Sequence, residues 1–228
     1  VDYLDPELLR TLSAAVDERA RALKAVYIKT DPDIDVEDAP RRAALSACGY
    51  EKFERPSLPG LAHPQFVFRV EYGGRSEEQV FSAMKNNCRG AVKQARQQGI
   101  TVDFSTADED FEVFYRIYSE LGRDRKFFYH PHGYLRNLWE HFKRAGRATA
   151  LCARHQGETV AAILIVHHAR KCWFLYGGMS LKHIQLRASN LIHWEAIRWS
   201  MQRGHEWYSL RGVAGRTVGA SPGACLPS

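Results

Sequence analysis

Residues 148–178 read ATALCARHQGETVAAILIVHHARKCWFLYGG, and this stretch decides the fold class. Its apolar, β-branched and aromatic runs at 148–154, 160–168 and 172–176 are parted by Gln156-Gly157 and Arg170-Lys171. Such runs bounded by turn residues are strands. Downstream, residues 189–203 carry helical periodicity and 206–210 form a last strand. Upstream, 134–145 predicts a helix, and so does the segment that Asp108 can cap, with Phe111, Phe114, Tyr115 and Tyr118 at helical steps. Residues 100–104 alternate like a strand. Before them a long helix is expected over 76–98, opened by a capping box (Ser76 with Gln79) and stopped by Gly99. FVFRVEY at 66–72 reads as a strand closed by Gly73-Gly74.

The first quarter of the chain repeats part of this plan. Asp5 caps a helix over 5–23, Pro6 suits its first position, and Leu8, Leu9, Leu12, Val16, Ala20 and Leu23 recur at helical steps. AVYIK at 25–29 reads as a strand ended by Asp31-Pro32-Asp33. A short helix follows over 41–48 and a proline-containing loop over 54–64. Helix 5–23 with strand 25–29 mirrors helix 189–203 with strand 206–210. The expected organisation is therefore the later part of one α/β unit over 1–74 and a nearly complete second unit over 75–212. A Gly/Ala/Ser/Pro-rich tail over 213–228 is expected to be disordered.

At 45% hydrophobic and 25% charged, the composition excludes a disordered chain, a collagen and a small disulfide scaffold. The longest apolar run, 160–166, is far short of the ~20 residues of a membrane span. No signal peptide is evident, and the chain opens on Val1 beside a helix signal, so its true start is expected upstream. Five scattered cysteines without C-x-x-C spacing fit a reducing, cytoplasmic compartment. Cys88, Cys152 and Cys172 sit inside predicted elements and read as small buried hydrophobes. His130-Pro131-His132 and His167-His168 lack ligand spacing, so no metal is expected. The net charge of +6 is uneven: residues 1–75 hold 11 basic against 13 acidic groups, and residues 76–228 hold 21 against 13.

Three features of the basic half bear on function. Lys85, Arg89, Lys93 and Arg96 recur at steps of four, four and three, on one face of the expected long helix. That face is either a phosphate-tracking stripe or an ordinary solvated surface. Arg123-Asp124-Arg125-Lys126 runs into Phe127-Phe128-Tyr129. It is either a basic inter-helix loop or a phosphate grip beside aromatic walls. Tyr176 precedes Gly177-Gly178, paired glycines that permit a ligand close to the backbone; a core Tyr beside a turn is the plainer alternative.

From 76 onward the sequence resembles the Fem family, the tRNA-dependent aminoacyl ligases of peptidoglycan interpeptide bridges. The resemblance is carried by Arg89-Gly90-Ala91-Val92-Lys93-Gln94-Ala95, Gly99-Ile100-Thr101-Val102, Arg125 and Phe128 ahead of Tyr134, and Leu175-Tyr176-Gly177-Gly178. Trp194-Glu195-Ala196-Ile197-Arg198-Trp199, Gly204 and Tyr208-Ser209-Leu210-Arg211-Gly212 complete it. VDYLDPELL at 1–9 looks like the middle of that family's first domain. The resemblance implies tandem acetyltransferase-like (GNAT) domains of α/β class, with mixed central sheets flanked by helices, both incomplete here. It implies aminoacyl transfer from charged tRNA to the stem-peptide amine of a lipid-linked or nucleotide-linked muropeptide, in the cytoplasm or at the inner membrane face, without a cofactor. It places Arg125 and Tyr176 on the acceptor and lends weight to Lys85, Arg89 and Lys93 as tRNA contacts. The family shows Asp where Ser209 stands, and a Phe- and Lys-rich segment that this tail lacks; no residue here is assigned the catalytic role.

Two other functions compete. An acetyl-coenzyme A-dependent N-acyltransferase would need a glycine-rich phosphate cradle before the last helix. The stretch reads Gln185-Leu186-Arg187-Ala188-Ser189-Asn190, without either glycine. An inactive, truncated binding module is the non-enzymatic alternative.

Overall fold

The structure is a computed structural model and describes residues 3–32, 34–35, 37–52 and 66–213. It divides into two compact units, Val1–His63 and Pro64–Ser228. The proline loop at 54–64 and the tail from 214 lie outside the described residues.

In the first unit, α1 (Pro6–Ala22) is capped as expected: one Asp5 carboxylate oxygen accepts the Glu7 and Leu8 N–H groups, each at 3.0 Å. Asp38 caps α2 (Ala39–Ala47) through the Arg41 N–H at 3.1 Å. The expected strand over 25–29 does not form. Val26 and Tyr27 are 96% and 79% exposed, and the described residues of the first unit hold no strand. β-Propensity without a partner strand yields no ladder. The helix–strand repeat therefore holds for its helix and fails for its strand.

The second unit is built on one mixed sheet. Its strands are β1 (Phe66–Glu71), β2 (Thr101–Ser105), β3 (Ala148–His155), β4 (Glu158–His168), β5 (Lys171–Met179) and β6 (Trp207–Val213), in the order β1-β6-β5-β4-β3-β2. All neighbours are antiparallel except β5 and β6, which pair in parallel from Lys171↔Trp207 to Trp173↔Ser209. Strand β1, read from sequence as the end of the first unit, is an edge of this sheet, with Arg69 opposite Ser209. Gln156 and Gly157 take positive φ (51° and 82°) in the two-residue turn between β3 and β4, the twist such a hairpin needs.

Helices cover both faces. On one, α4 (Asn86–Gln97) and α7 (Ala188–Gln202) pack Val92, Ala95, Leu191, Trp194 and Ile197 against Leu151, Ile163 and Ile165. On the other, α5 (Asp108–Arg125) and α6 (His132–Arg144) pack Phe111, Phe114, Leu135 and Trp139 against Ala150, Leu164 and Val166. Alternation along β4 sends Ile163 and Ile165 one way and Leu164 and Val166 the other.

Two helix starts differ from expectation. The helix read over 76–98 is two helices, α3 (Glu77–Ala83) and α4, because Met84 and Lys85 are extended (ψ 151° and 147°). The Ser76–Gln79 capping box is present. Asp108 does not cap α5; it is the first helical residue, and its carboxylate accepts Lys143 Nζ and Trp139 Nε1, each at 2.8 Å. Those bonds join α5 to α6 and hold the carboxyl down at about 2.

Polar side chains also sit inside the α4/α7 core. Tyr72 bonds to Ser200, and His193 Nδ1 and the Tyr208 hydroxyl share a hydrogen bond of 2.9 Å. Burial lowers the His193 imidazole to about 4 and raises the Cys172 thiol to about 12. An unfolded imidazole titrates near ~6.5, so below that pH the unfolded chain takes up a proton that folded His193 refuses. Stability from the neutral ring is complete above that value and is lost as pH falls toward 4. Between about pH 7.5 and about pH 4.5, His193→Gln should lose about 2 kcal/mol less unfolding free energy than the parent. Urea titrations at both pH values measure this, and equal losses would contradict the assignment.

Candidate functional site

The site is assembled by the end of α5. Lys126 takes the left-handed conformation (φ 54°), and the Phe127 N–H returns to the Gly122 carbonyl at 3.2 Å. The chain then folds back over the helix. A Cβ at Gly122 would lie 2.5 Å from Tyr129 Cδ1, so only glycine lets that ring close. His130 is held next: its N–H donates to the Tyr118 hydroxyl (3.3 Å), and its carbonyl accepts from the Tyr115 hydroxyl (3.4 Å). Pro131 then starts α6, which brings Tyr134 alongside, its ring 4.6 Å from that of His130.

Strand β5 supplies the opposite wall. The Tyr176 ring lies 5.6 Å from Tyr118 and 5.2 Å from His130. The structure thus brings Tyr176 to His130, five residues beyond Arg125, the last residue of α5. Arg123, Arg125 and Lys126 are exposed at the lip; Phe128 is 78% and Tyr134 52% exposed. Asp124 is the acidic member of the turn. Glu112, nearby on α5, accepts from His132 Nε2 (2.9 Å) and pairs with Arg136 (3.3 Å). The arrangement is a cationic rim on an aromatic wall with phenolic hydroxyls. Chemically it suits an anion joined to a sugar or peptide.

Gly177-Gly178 has a different use from the one expected. A Cβ at Gly178 would stand 2.7 Å from the Ile117 carbonyl oxygen and 2.8 Å from Tyr118 Cα. One at Gly177 would meet Ile163 and Phe174 at 2.7 and 2.8 Å. Gly178 admits α5 to the sheet and Gly177 makes room for Ile163 and Phe174, where the sequence suggested a ligand approaching the backbone.

The basic stripe is redistributed. Lys85 precedes α4, and Lys93 is exposed on it. Arg89 donates to the carbonyls of Ser82 and Met84 (2.9 Å to Met84) and to the Asn86 side chain, closing the end of α3. Arg96 pairs with Glu195 at 2.7 Å. Lys85 and Lys93 thus remain outward, while Arg89 and Arg96 are engaged internally.

Of Tyr118, Tyr129 and His130, the sequence brought forward Tyr129 as part of an aromatic wall beside the basic residues, but not the other two as site residues. The i, i+3 pair Tyr115/Tyr118 was the available signal, but its partners lie on β5 and past the helix end. Among the described residues, no helix is long and apolar enough to cross a membrane.

The FemAB family model matches residues 1–149. The chain belongs to the FemAB family. A second model, the acetyltransferase (GNAT) domain, matches residues 82–219 of this FemAB chain. Lipid II:glycine glycyltransferase of Staphylococcus aureus is 24% identical over 151 residues, which are 65% of this chain and 35% of that protein. This FemAB chain therefore spans about a third of the length of the curated relatives it matches. The crystal structure of FemX superposes with a TM-score of 0.82 at 16% identity, over 97% of this chain and 72% of that one. A protein of unknown function from Bacteroides thetaiotaomicron gives 0.53 at 12% identity, over 91% and 68%. Both likenesses concern the fold, which is GNAT-like in the sheet-bearing unit of this FemAB chain.

The glycine contacts give a direct test. Gly178→Ala should lower unfolding free energy by about 1–3 kcal/mol, since the helix backbone has to retreat. Gly90→Ala, with nothing within 4 Å of the new Cβ on α4, should be neutral or stabilising. Urea midpoints compare the two, and equal effects would remove the close-approach argument.

Proposed function

We propose that this chain moves an aminoacyl group from aminoacyl-tRNA to the stem-peptide amine of a peptidoglycan precursor. One observation carries the proposal: the segment that follows α5 meets the strand bearing Tyr176 at His130, in a member of the FemAB family. The glycyltransferase name of the Staphylococcus aureus relative supports it.

An aminoacyl ester is already activated, so the chemistry asked of the protein is modest. It has to hold a polyanionic donor and a phosphate-bearing acceptor, present a neutral amine, and stabilise a tetrahedral oxyanion. In this reading Arg125 takes the acceptor's phosphate in a fork of two N–H donors, with Arg123 and Lys126 adding positive potential. Tyr176 donates its hydroxyl, and the rings beside it pack the sugar or peptide. Lys85 and Lys93 track the tRNA backbone; Arg89 contributes by shaping the α3–α4 junction. A lipid-linked acceptor would bring the protein to the inner membrane face, a nucleotide-linked one would leave it in the cytoplasm, and neither requires a cofactor.

The GNAT match keeps a coenzyme A-dependent N-acyl transfer as the second reading. Against it, Arg187 precedes α7 at φ 56° and the first turn of α7 buries Ala188 and Asn190, side chains where a pyrophosphate cradle uses glycine. Titration calorimetry with acetyl-coenzyme A should give no heat of binding, and saturable binding would favour that reading.

Arg125→Ala should raise acceptor KM about tenfold with kcat little changed, the cost of one charge-assisted bidentate contact. Steady-state kinetics with charged tRNA and muropeptide measure it, and an unchanged KM removes Arg125 from the acceptor. Lys85→Glu with Lys93→Glu should weaken tRNA binding and flatten its dependence on salt by about two counterions. Identical salt titrations for parent and variant would exclude that face.

A further inference from the structure

Every element of the candidate site converges on His130. Both of its main-chain groups are bonded to hydroxyls of α5, Tyr118 at 3.3 Å and Tyr115 at 3.4 Å. Its imidazole stacks on Tyr134 with an interplanar angle of 25° and stands edge-on to Tyr176 at 5.2 Å and Phe128 at 5.1 Å. It is half-buried, with Tyr134 of α6 and Tyr176 of β5 against it. The neighbouring histidine is used otherwise: His132 lies edge-on to Tyr115 and donates to Glu112.

We propose that His130 is a positioning residue for the anionic acceptor, fixing Tyr176 against the Arg125 turn and coupling acceptor affinity to imidazole protonation. This rests on the acceptor reading above. Tyr134 from α6 and Tyr176 from β5 are titratable groups that face the ring, and Tyr115 and Tyr118 from α5 bond to its main chain. Arg123, Asp124, Arg125 and Lys126 are the charged groups of the adjoining turn. Tyrosines and carboxylates keep their charge between about pH 6 and about pH 8, so within this set the imidazole is what changes. A bound phosphate favours the imidazolium, and aromatic faces tolerate that cation. Affinity gained this way is full below the free imidazole's pKa and is lost as pH rises through the raised value of the complex.

Titration calorimetry of the full chain with a nucleotide-linked muropeptide, whose phosphodiesters do not titrate in this range, tests the proposal. The parent should bind about fivefold more tightly at about pH 6 than at about pH 8. In His130→Phe, which keeps an aromatic stack, affinity at the lower pH should fall to its value at the higher pH. His130→Gln should lose the same dependence and serves if the Phe variant fails to fold by circular dichroism. His132→Gln should keep the parental slope, and Arg125→Ala should bind weakly at both pH values while keeping it. A flat parental profile, a parental slope in His130→Phe or His130→Gln, or a slope lost in His132→Gln overturns the role of His130 and leaves the acceptor reading standing. A parent that does not bind the muropeptide at either pH overturns the acceptor reading, and the inference with it.

Discussion

Helix α5 rests directly on strand β5 because Gly178 has no side chain. The space a Cβ would need is filled by the backbone of Ile117 and Tyr118, so helix and strand meet at main-chain distance. From that contact the rest of the site follows. Tyr118 is brought over Tyr176, and its hydroxyl is left aimed at the returning chain, where it takes the His130 N–H. Gly122, one turn further along α5, repeats the device under Tyr129. Two glycines on different elements thus set the depth of an aromatic wall whose own residues come from a helix, a turn and a strand. Asp108, bonded to Trp139 and Lys143, fixes the angle at which α6 brings Tyr134 to the same wall.

Net charge is a weaker guide here than the fate of each cation. The second unit holds the positive excess of the chain, yet many of its guanidinium groups are committed to the fold. Arg89 closes a helix end, Arg96 and Arg198 share Glu195 between α4 and α7, and Arg154 joins Asp103 to Asp110. Arg123, Arg125 and Lys126 at the end of α5 and the pair Lys85/Lys93 remain outward, as do Arg144, Arg147, Lys182 and Arg187 elsewhere on the unit. Local density rather than the whole-chain sum creates a binding potential.

The sheet of the second unit was legible in the sequence because its strands are short apolar runs with turn residues between them. The Gln156-Gly157 turn and the Ser76–Gln79 box are local chemistry, and local chemistry is what a sequence displays. What escaped was long-range. The break at Met84–Lys85 has no glycine or proline to mark it and is held by the Arg89 side chain reaching back. The AVYIK segment has strand composition, and the described residues of its own unit hold no strand to pair with it. Arg125 and Tyr176 were each visible as residue types, but that their elements meet across His130 depends on α5 lying on β5, which no spacing reveals.

The use made of Gly177-Gly178 bears on how recognition is achieved. Had these glycines opened the backbone to a ligand, main-chain N–H groups would have supplied contacts indifferent to side-chain substitution. Instead the glycines are consumed in packing, and Ala188 and Asn190 are buried where a nucleotide cradle would have used its backbone. On the proposed reading, recognition at this site therefore falls to side chains: a guanidinium fork, phenolic hydroxyls and an imidazole. Such a site is specific in charge geometry and exacting about its supporting contacts. Small displacements of α5 on β5 move Tyr118, His130 and Tyr176 together, so packing and binding in this fold draw on the same few ångströms of helix–strand approach.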